Sequence, residues 1–188
     1  RNGKETYYPL RREKIIMPPV PYYGMIDSKT GYIRFTNFTQ NCIDDVKTAL
    51  NSLKNNNVQQ IILDLRGNPG GLLTEAVEIV NLFVAEGNEV VSTKGKVKQF
   101  DENFKTTKQP VDEKIPLAII INRGSASASE IVAGALQDLD RGVIVGQRSY
   151  GKGLVQITRP LSFNAQLKVT TAKYYIPSGR CIQARDFS

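Results

Sequence analysis

Three short loops carry the residue types that can do covalent chemistry. Gly124-Ser125-Ala126-Ser127-Ala128-Ser129-Glu130 joins an apolar stretch to a helical one, with only small residues before its first charge. A serine at a helix start sits among unpaired N–H groups at the positive end of the helix dipole, where a developing oxyanion is stabilised. The same spacing, Ser127-x-x-Glu130, is also a capping box whose two side chains satisfy orphan amides; Ser125 or Ser129 could take over that role. The second loop is Arg66-Gly67-Asn68-Pro69-Gly70-Gly71. Its glycines suit either a tight turn at positive φ or a cradle of bare amides for an oxyanion. The third, Gly146-x-x-x-x-Gly151-Lys152, imitates a phosphate-binding loop. Position 153 is glycine, however, so the hydroxyl that would hold magnesium is missing, and residues 154–158 are strand-like rather than helical. Nucleotide binding is rejected on that ground. The ordinary fate of a turn lysine such as Lys152 is solvation. Carried between Gly151 and Gly153 into a buried site, a lysine loses solvation of its charged form and becomes a base near neutrality.

The choice of base is narrowed by what the chain lacks. Its 188 residues include no histidine, which removes the commonest general base and metal ligand and any triad built on imidazole. A hydrolase made of these residues must use lysine, a carboxylate, tyrosine or a thiolate. A serine activated by a lysine is one recognised solution.

These loops need elements to position them. Residues 1–30 are rich in Pro, Tyr and basic side chains around Pro18-Pro19-Val20-Pro21, which predicts the end of a strand and then a stiff extended linker. Residues 32–35 form a short strand, and Asn41 caps a helix bearing Ile43, Val46, Leu50 and Leu53 on one face. Residues 60–65 are apolar without alternation, the pattern of a strand covered on both faces. A second helix carries Leu73, Ala76, Val77, Val80 and Val84. A strand near Val90 leads to a polar excursion or hairpin over 93–114. The strand at 117–121 precedes a third helix bearing Ile131, Val132, Ala135, Leu136 and Leu139. Further strands follow at 143–145, near 154–158 and at 166–173. Repeated strand, glycine turn and helix imply parallel pairing and an α/β core, with the turns after the strands lining the site.

Composition excludes several classes. Hydrophobic residues at 40% and charged residues at 23% suit one globular core. The net charge of +7 is scattered apart from Arg11, Arg12 and Lys14, so no nucleic-acid surface is expected. Cys42 and Cys181 match no metal or redox spacing; they are read as two free thiols or a bridge. No apolar run reaches the length of a membrane span, no signal peptide begins the chain, and its start reads as a cut inside a larger protein.

Five segments in series resemble the carboxyl-terminal processing (tail-specific) proteases of peptidase family S41: GYIRF at 31–35, LDLRGNPGG at 63–71, GSASASEIVAGAL at 124–136, YGKGLVQ at 150–156 and AKYYIPSGR at 172–180. The resemblance implies an α/β fold of the ClpP/crotonase type, a superhelix of β-β-α units. It places the nucleophile on Ser127, the general base on Lys152, and a residue that orients the lysine on Gln156. Four residues of extended strand span about 13 Å, so a direct bond from Gln156 to Lys152 needs a bulge or turn between them, which Gly153 permits. The implied oxyanion site combines the Ala128 amide with that of Gly71 or, as second choice, Gly70. In the family a PDZ domain precedes the core; here residues 1–30 hold only its end, resembling a last strand over 1–15, and a linker. Residues 31–188 are a protease core whose carboxyl-terminal elements are incomplete. No cofactor, nucleotide or nucleic acid is implied. The implied partner is an unfolded protein or peptide added as an extended strand, a homodimer stays open, and the location is extracytoplasmic, in the periplasm or cell envelope. Two rivals are a catalytically silent peptide-binding core and a crotonase-like acyl-CoA enzyme.

Overall fold

The computed structural model of the chain describes residues 3, 5–13 and 17–184. The expected last PDZ-like strand falls partly outside these residues, and its described part, 5–13, contains no helix or strand.

Alternating burial decides the first sheet. Ile33, Ile61, Leu63, Leu117 and Ile119 are buried, while Tyr32, Ile62, Ala118 and Ile120 between them are half-buried. Successive side chains of a strand point to opposite faces, so one face is sealed against helices. The sheet runs in the order β1 (Tyr22–Met25), β2 (Thr30–Arg34), β3 (Gln60–Asp64), β6 (Leu117–Ile121), β7 (Val143–Gly146). β1 is antiparallel to β2, and the other neighbours are parallel. The core over it comes from α1 (Cys42–Asn55), α2 (Leu73–Asn81) and α3 (Ala128–Asp138), through Val46, Leu50, Ile79, Val80, Ile131 and Leu136. Each such burial contributes about 1.5–3 kcal/mol. A second, antiparallel sheet runs β5 (Glu102–Lys105), β4 (Glu89–Gly95), β9 (Gln166–Tyr175), β8 (Leu154–Pro160). The β4–β5 hairpin realises the predicted polar excursion.

Three expectations need correction. β3 is sealed on one face only, and β7 at the sheet edge leaves Val143 67% exposed. The later part of the span read as linker, residues 19–25, is attached to the core: β1 pairs with β2, Thr36 N–H donates to Pro19 O at 2.9 Å, and Val20 and Met25 pack on the core. Nor does Asn41 cap α1 with its side chain. It adopts φ 63° with no side-chain cap bond, and the carboxylate of Glu75, from the first turn of α2, accepts the N–H groups of Asn41 and Ile43 at 2.9 and 3.2 Å. Glu75 also accepts Cys42 Sγ–H. Burial, reinforced by that carboxylate, drives the Cys42 thiol far above its usual range, so it is an inert core group. Both cysteines are free.

Candidate active site

The three loops singled out by sequence follow β3, β6 and β7 at the carboxyl edge of the parallel strands, and polar side chains stitch them together. Asn122 Oδ1 accepts the amides of both Gly67 and Gly124, each at 2.9 Å. Asn68, fully buried, donates Nδ2–H to Phe35 O and accepts Gly70 N–H on Oδ1. Its own carbonyl accepts Ala126 N–H at 3.0 Å. The bonds made by the Asn68 side chain are buried and costly to lose, because the abandoned partner stays buried.

The stitching separates the three serines. Ser125 Oγ–H donates to Leu65 O at 2.8 Å and accepts Asn122 N–H, and Ser129 Oγ–H donates to Asn68 O at 3.0 Å; both residues are fully buried. Neither acts as the alternative cap; both bind the neighbouring turn. Ser127 is half-buried. Its amide donates to Glu130 Oε2 at 2.8 Å, while Oγ stands in capping-box position without making a cap hydrogen bond. Its backbone, at φ 56° and ψ −115°, lies outside the regions a serine ordinarily adopts. Such strain costs on the order of 1–3 kcal/mol and persists where surrounding bonds over-determine it.

The glycine turn lies directly against this serine. A methyl group at Gly70 would stand 2.8 Å from Ala128 N and 2.6 Å from Ala126 O, so glycine keeps the front of the Ala128 amide open. Phe38 N–H donates to Gly70 O and Leu72 N–H to Phe38 O, an exchange that turns the Gly71 amide away from Phe38. Among the described residues, the Ala128 and Gly71 amides donate to no protein acceptor, whereas the Gly70 amide is taken by Asn68. Of the two glycines, Gly71 has the amide to offer.

Glu130 joins the serine to the lysine. Beyond the Ser127 amide, its carboxylate accepts Gly151 N–H at 2.6 Å and Lys152 N–H at 2.8 Å, and the residue is buried. Sequence spacing assigned Glu130 a capping role alone. The side chain of Lys152 departs from expectation: it is exposed, and among the described residues Nζ makes no hydrogen bond or salt bridge, to Ser127 or otherwise. The enclosure predicted for a lysine base is not formed. Gln156 is exposed on β8 and donates to Thr170 Oγ1 at 3.3 Å. A register shift does occur beside it, between Val155 and Gln156, yet no described contact joins its side chain to Lys152.

A charged cluster buttresses the end of β3. Asp64, fully buried, pairs with Arg34 at 2.9 Å and with Arg66 at 2.7 Å, and accepts the Tyr32 hydroxyl. Burial pushes its carboxyl up, but Arg66, Tyr32 and Arg34 together outweigh that and hold it below the usual range. Burial and the same carboxylate push the Tyr32 phenol up. Among the described residues no group of three or more Asp, Glu or Cys side chains is placed to hold a metal ion.

Residues 29–187 match the model of peptidase family S41. The chain is 41% identical over 162 residues to a carboxy-terminal-processing protease of Bartonella bacilliformis, covering 84% of this chain and 37% of that protein. It is 37% identical over 188 residues to carboxyl-terminal-processing peptidase 2, chloroplastic, of Arabidopsis thaliana, covering 95% and 36%. The chain thus spans little more than a third of the length of these relatives. Among solved structures, a photosystem II D1 C-terminal processing protease superposes with a TM-score of 0.81 at 32% identity, covering 92% of this chain and 47% of that one. A putative S41 protease of Bacteroides fragilis shares the fold at a TM-score of 0.75, 16% identity and coverage of 89% and 49%. With its three loops locked at one sheet edge and its family model matched over nearly its whole length, the chain belongs to peptidase family S41.

Proposed function

We propose that this chain is the catalytic core of a serine endopeptidase that cleaves unfolded protein tails near their carboxyl termini. Lys152 Nζ takes the proton of Ser127 Oγ as the oxygen attacks the scissile carbonyl. The amides of Ala128 and Gly71 hold the resulting oxyanion. The protonated lysine then gives its proton to the leaving nitrogen, and the acyl-enzyme forms as the C–N bond breaks. Water, losing a proton to Lys152, attacks the acyl carbonyl; as the ester C–O bond breaks, Lys152 returns that proton to Ser127 Oγ, which frees the acid and restores the serine. Lys152 must swing in from solvent for the first step. Gln156 orients it only after its amide leaves Thr170. The names of the relatives support a carboxyl-terminal processing reaction, and the family resemblance supports work outside the cytoplasm.

The observation that carries this reading is the singling out of Ser127: of the three serines, it is the one whose hydroxyl donates to no described group, beside two uncommitted amides and a lysine turn held by the same carboxylate. The test is labelling with a serine-directed fluorophosphonate, followed by peptide mapping. Label should sit on Ser127, and Ser127→Ala should abolish both labelling and cleavage of an unfolded substrate, a loss of ~10³-fold or more. Label on Ser125 or Ser129, or cleavage surviving Ser127→Ala, would refute it.

A further inference from the structure

The turn that carries Lys152 is held from the far side by residues 181–184. Ala184 N–H donates to Gly151 O at 3.0 Å, and Gly153 N–H donates to Gln183 Oε1 at 3.0 Å. Tyr174 N–H closes on Gly153 O at 2.9 Å and Ile182 N–H on Tyr174 O at 3.1 Å, so the segment continues the β9 backbone into the turn. With Glu130 holding the Gly151 and Lys152 amides, five of the six backbone polar groups of Gly151-Lys152-Gly153 have partners. Close approach also explains the flanking glycines. A methyl at Gly151 would run into Ala184 Cβ, and one at Gly153 into the Gln183 backbone.

The segment is itself anchored on the helix that begins at the nucleophile. The turn before it, residues 176–180, docks on the end of α3: Ser178 N–H donates to Asp138 Oδ2 and Arg180 pairs with Asp138 Oδ1 at 2.7 Å. A methyl at Gly134 would stand 2.9 Å from Ile176, so the helix and the turn meet at van der Waals distance. The mechanical circuit is closed. It runs from Ser127 along α3 to Asp138, across to Arg180 and Gln183, and through Gly153 and Lys152 to Glu130 and the Ser127 amide.

We infer that Gln183 is a positioning residue for the general base, fixing the pivot from which the Lys152 side chain reaches Ser127. This rests on reading Lys152 as that base. The Gln183 amide is oriented by chemistry: a backbone N–H can donate only to the oxygen, and Nε2–H is then free to donate to Ala184 O at 3.2 Å. With the backbone held and the side chain exposed, the only freedom left in reaching the serine is rotation about the lysine's own bonds. A shift of the pivot by about 1 Å is enough to cost ~10²-fold in rate.

The experiment compares Gln183→Leu, Gln183→Glu and Lys152→Ala in the intact protein that carries this chain. Fluorophosphonate titration counts competent sites, and kcat and KM for an unfolded substrate are expressed per competent site. Gln183→Leu should lower kcat per site by ~10–100-fold with KM unchanged, and slow labelling in parallel. Gln183→Glu keeps an acceptor for Gly153 N–H and should recover most of the rate. A purely structural role would instead reduce the number of competent sites and the melting temperature while leaving the rate per site alone; that result overturns the inference. If Lys152→Ala abolishes turnover while Gln183→Leu does not touch it, the inference fails and the Ser–Lys reading stands. If Lys152→Ala keeps its rate per site, both fall.

Discussion

The two halves of the site are built to different tolerances. On the side of the proposed nucleophile, Asn68, Ser125 and Ser129 are fully buried; the two serine hydroxyls and the Asn68 carbonyl fix the glycine turns against each other, and the Asn68 side chain braces its own turn through Gly70 and Phe35. Ser127 is held in strained backbone, and two amides stand ready. On the side of the proposed base only the backbone is fixed; the Lys152 side chain lies in solvent. The contrast teaches where precision is needed before substrate arrives. Stabilising an oxyanion depends on donors that need no reorganisation at the moment of reaction. A proton acceptor on a flexible stem needs a fixed origin and room to move, and uncomplexed sites commonly leave such contacts open until substrate binds.

The sharpest way to break the first half is Gly71→Ala. The added methyl would collide with the Phe38 carbonyl, which is backbone and cannot move aside, at a φ of 153° that side chains rarely adopt. Relieving the clash must turn the Gly71 amide. We expect kcat/KM to fall by ~10²-fold or more and the melting temperature to drop with it. Activity within threefold of wild type would remove Gly71 from the oxyanion site.

Next in size is Glu130→Gln, which acts on both halves at once. A carboxylate accepts three N–H groups here; an amide offers one oxygen and turns its NH₂ toward donors. The expected loss is ~10–100-fold in kcat per site, with Ser127 still labelled slowly. Combined with Gln183→Leu the losses should be less than additive, because both substitutions release the same turn. Full additivity would mean that the two groups act on separate parts of the site.

How much of this was legible in the residues depends on whether a feature is local. The strand–turn–helix order, the polar hairpin and the three site loops follow from periodicity and glycine punctuation, which the neighbouring residues carry themselves. The singling out of Ser127 within SASAS came only from family resemblance, since the partners that disqualify Ser125 and Ser129 are Leu65 and Asn68, some sixty residues away. Glu75 capping a helix it does not belong to, in place of Asn41, is invisible for the same reason. Glu130 was visible as a capping residue, but the larger share of its bonds goes to Gly151 and Lys152. The lysine was expected in a buried pocket; burial is a property of the assembled surface, and no spacing rule supplies it. The bulge or turn that Gly153 permits between Lys152 and Gln156 is expected from glycine placement; the irregularity present is a register shift between Val155 and Gln156, and the Gln156 side chain serves the β8–β9 pairing.

Ser125→Ala should sharpen the comparison from the stability side. Ser125 Oγ bonds both Leu65 O and Asn122 N–H in a dry site, so deletion strands two backbone groups and should destabilise the chain by about 1–3 kcal/mol, read as a shift of the denaturant midpoint. The rate per competent site should change by less than about fivefold, because no group lost here faces the reacting atoms.

The smallest expected effect concerns the far end of α3, where the base-side segment is anchored. Burial pushes the Asp138 carboxyl up, but the Ser178 bonds and Arg180 more than offset this, so its folded value is below the usual one. A depressed carboxylate contributes stability that is fully present above its unfolded pKa of about 3.9 and is lost as pH falls through the folded value. Arg180 is 59% exposed, so the pair is screened and adds no more than about 1 kcal/mol. Asp138→Asn should therefore lower the melting temperature slightly at pH 7, and the gap to wild type should close as pH is taken below about 4. Since Asp138 touches neither Ser127 nor Lys152, any change in rate must pass through residues 178–183 to the Lys152 turn. Such a change, appearing in kcat and not in KM, would measure how stiff that connection is; a gap in melting temperature that persists unchanged at pH 3 would show that the carboxylate is not the group that holds the turn.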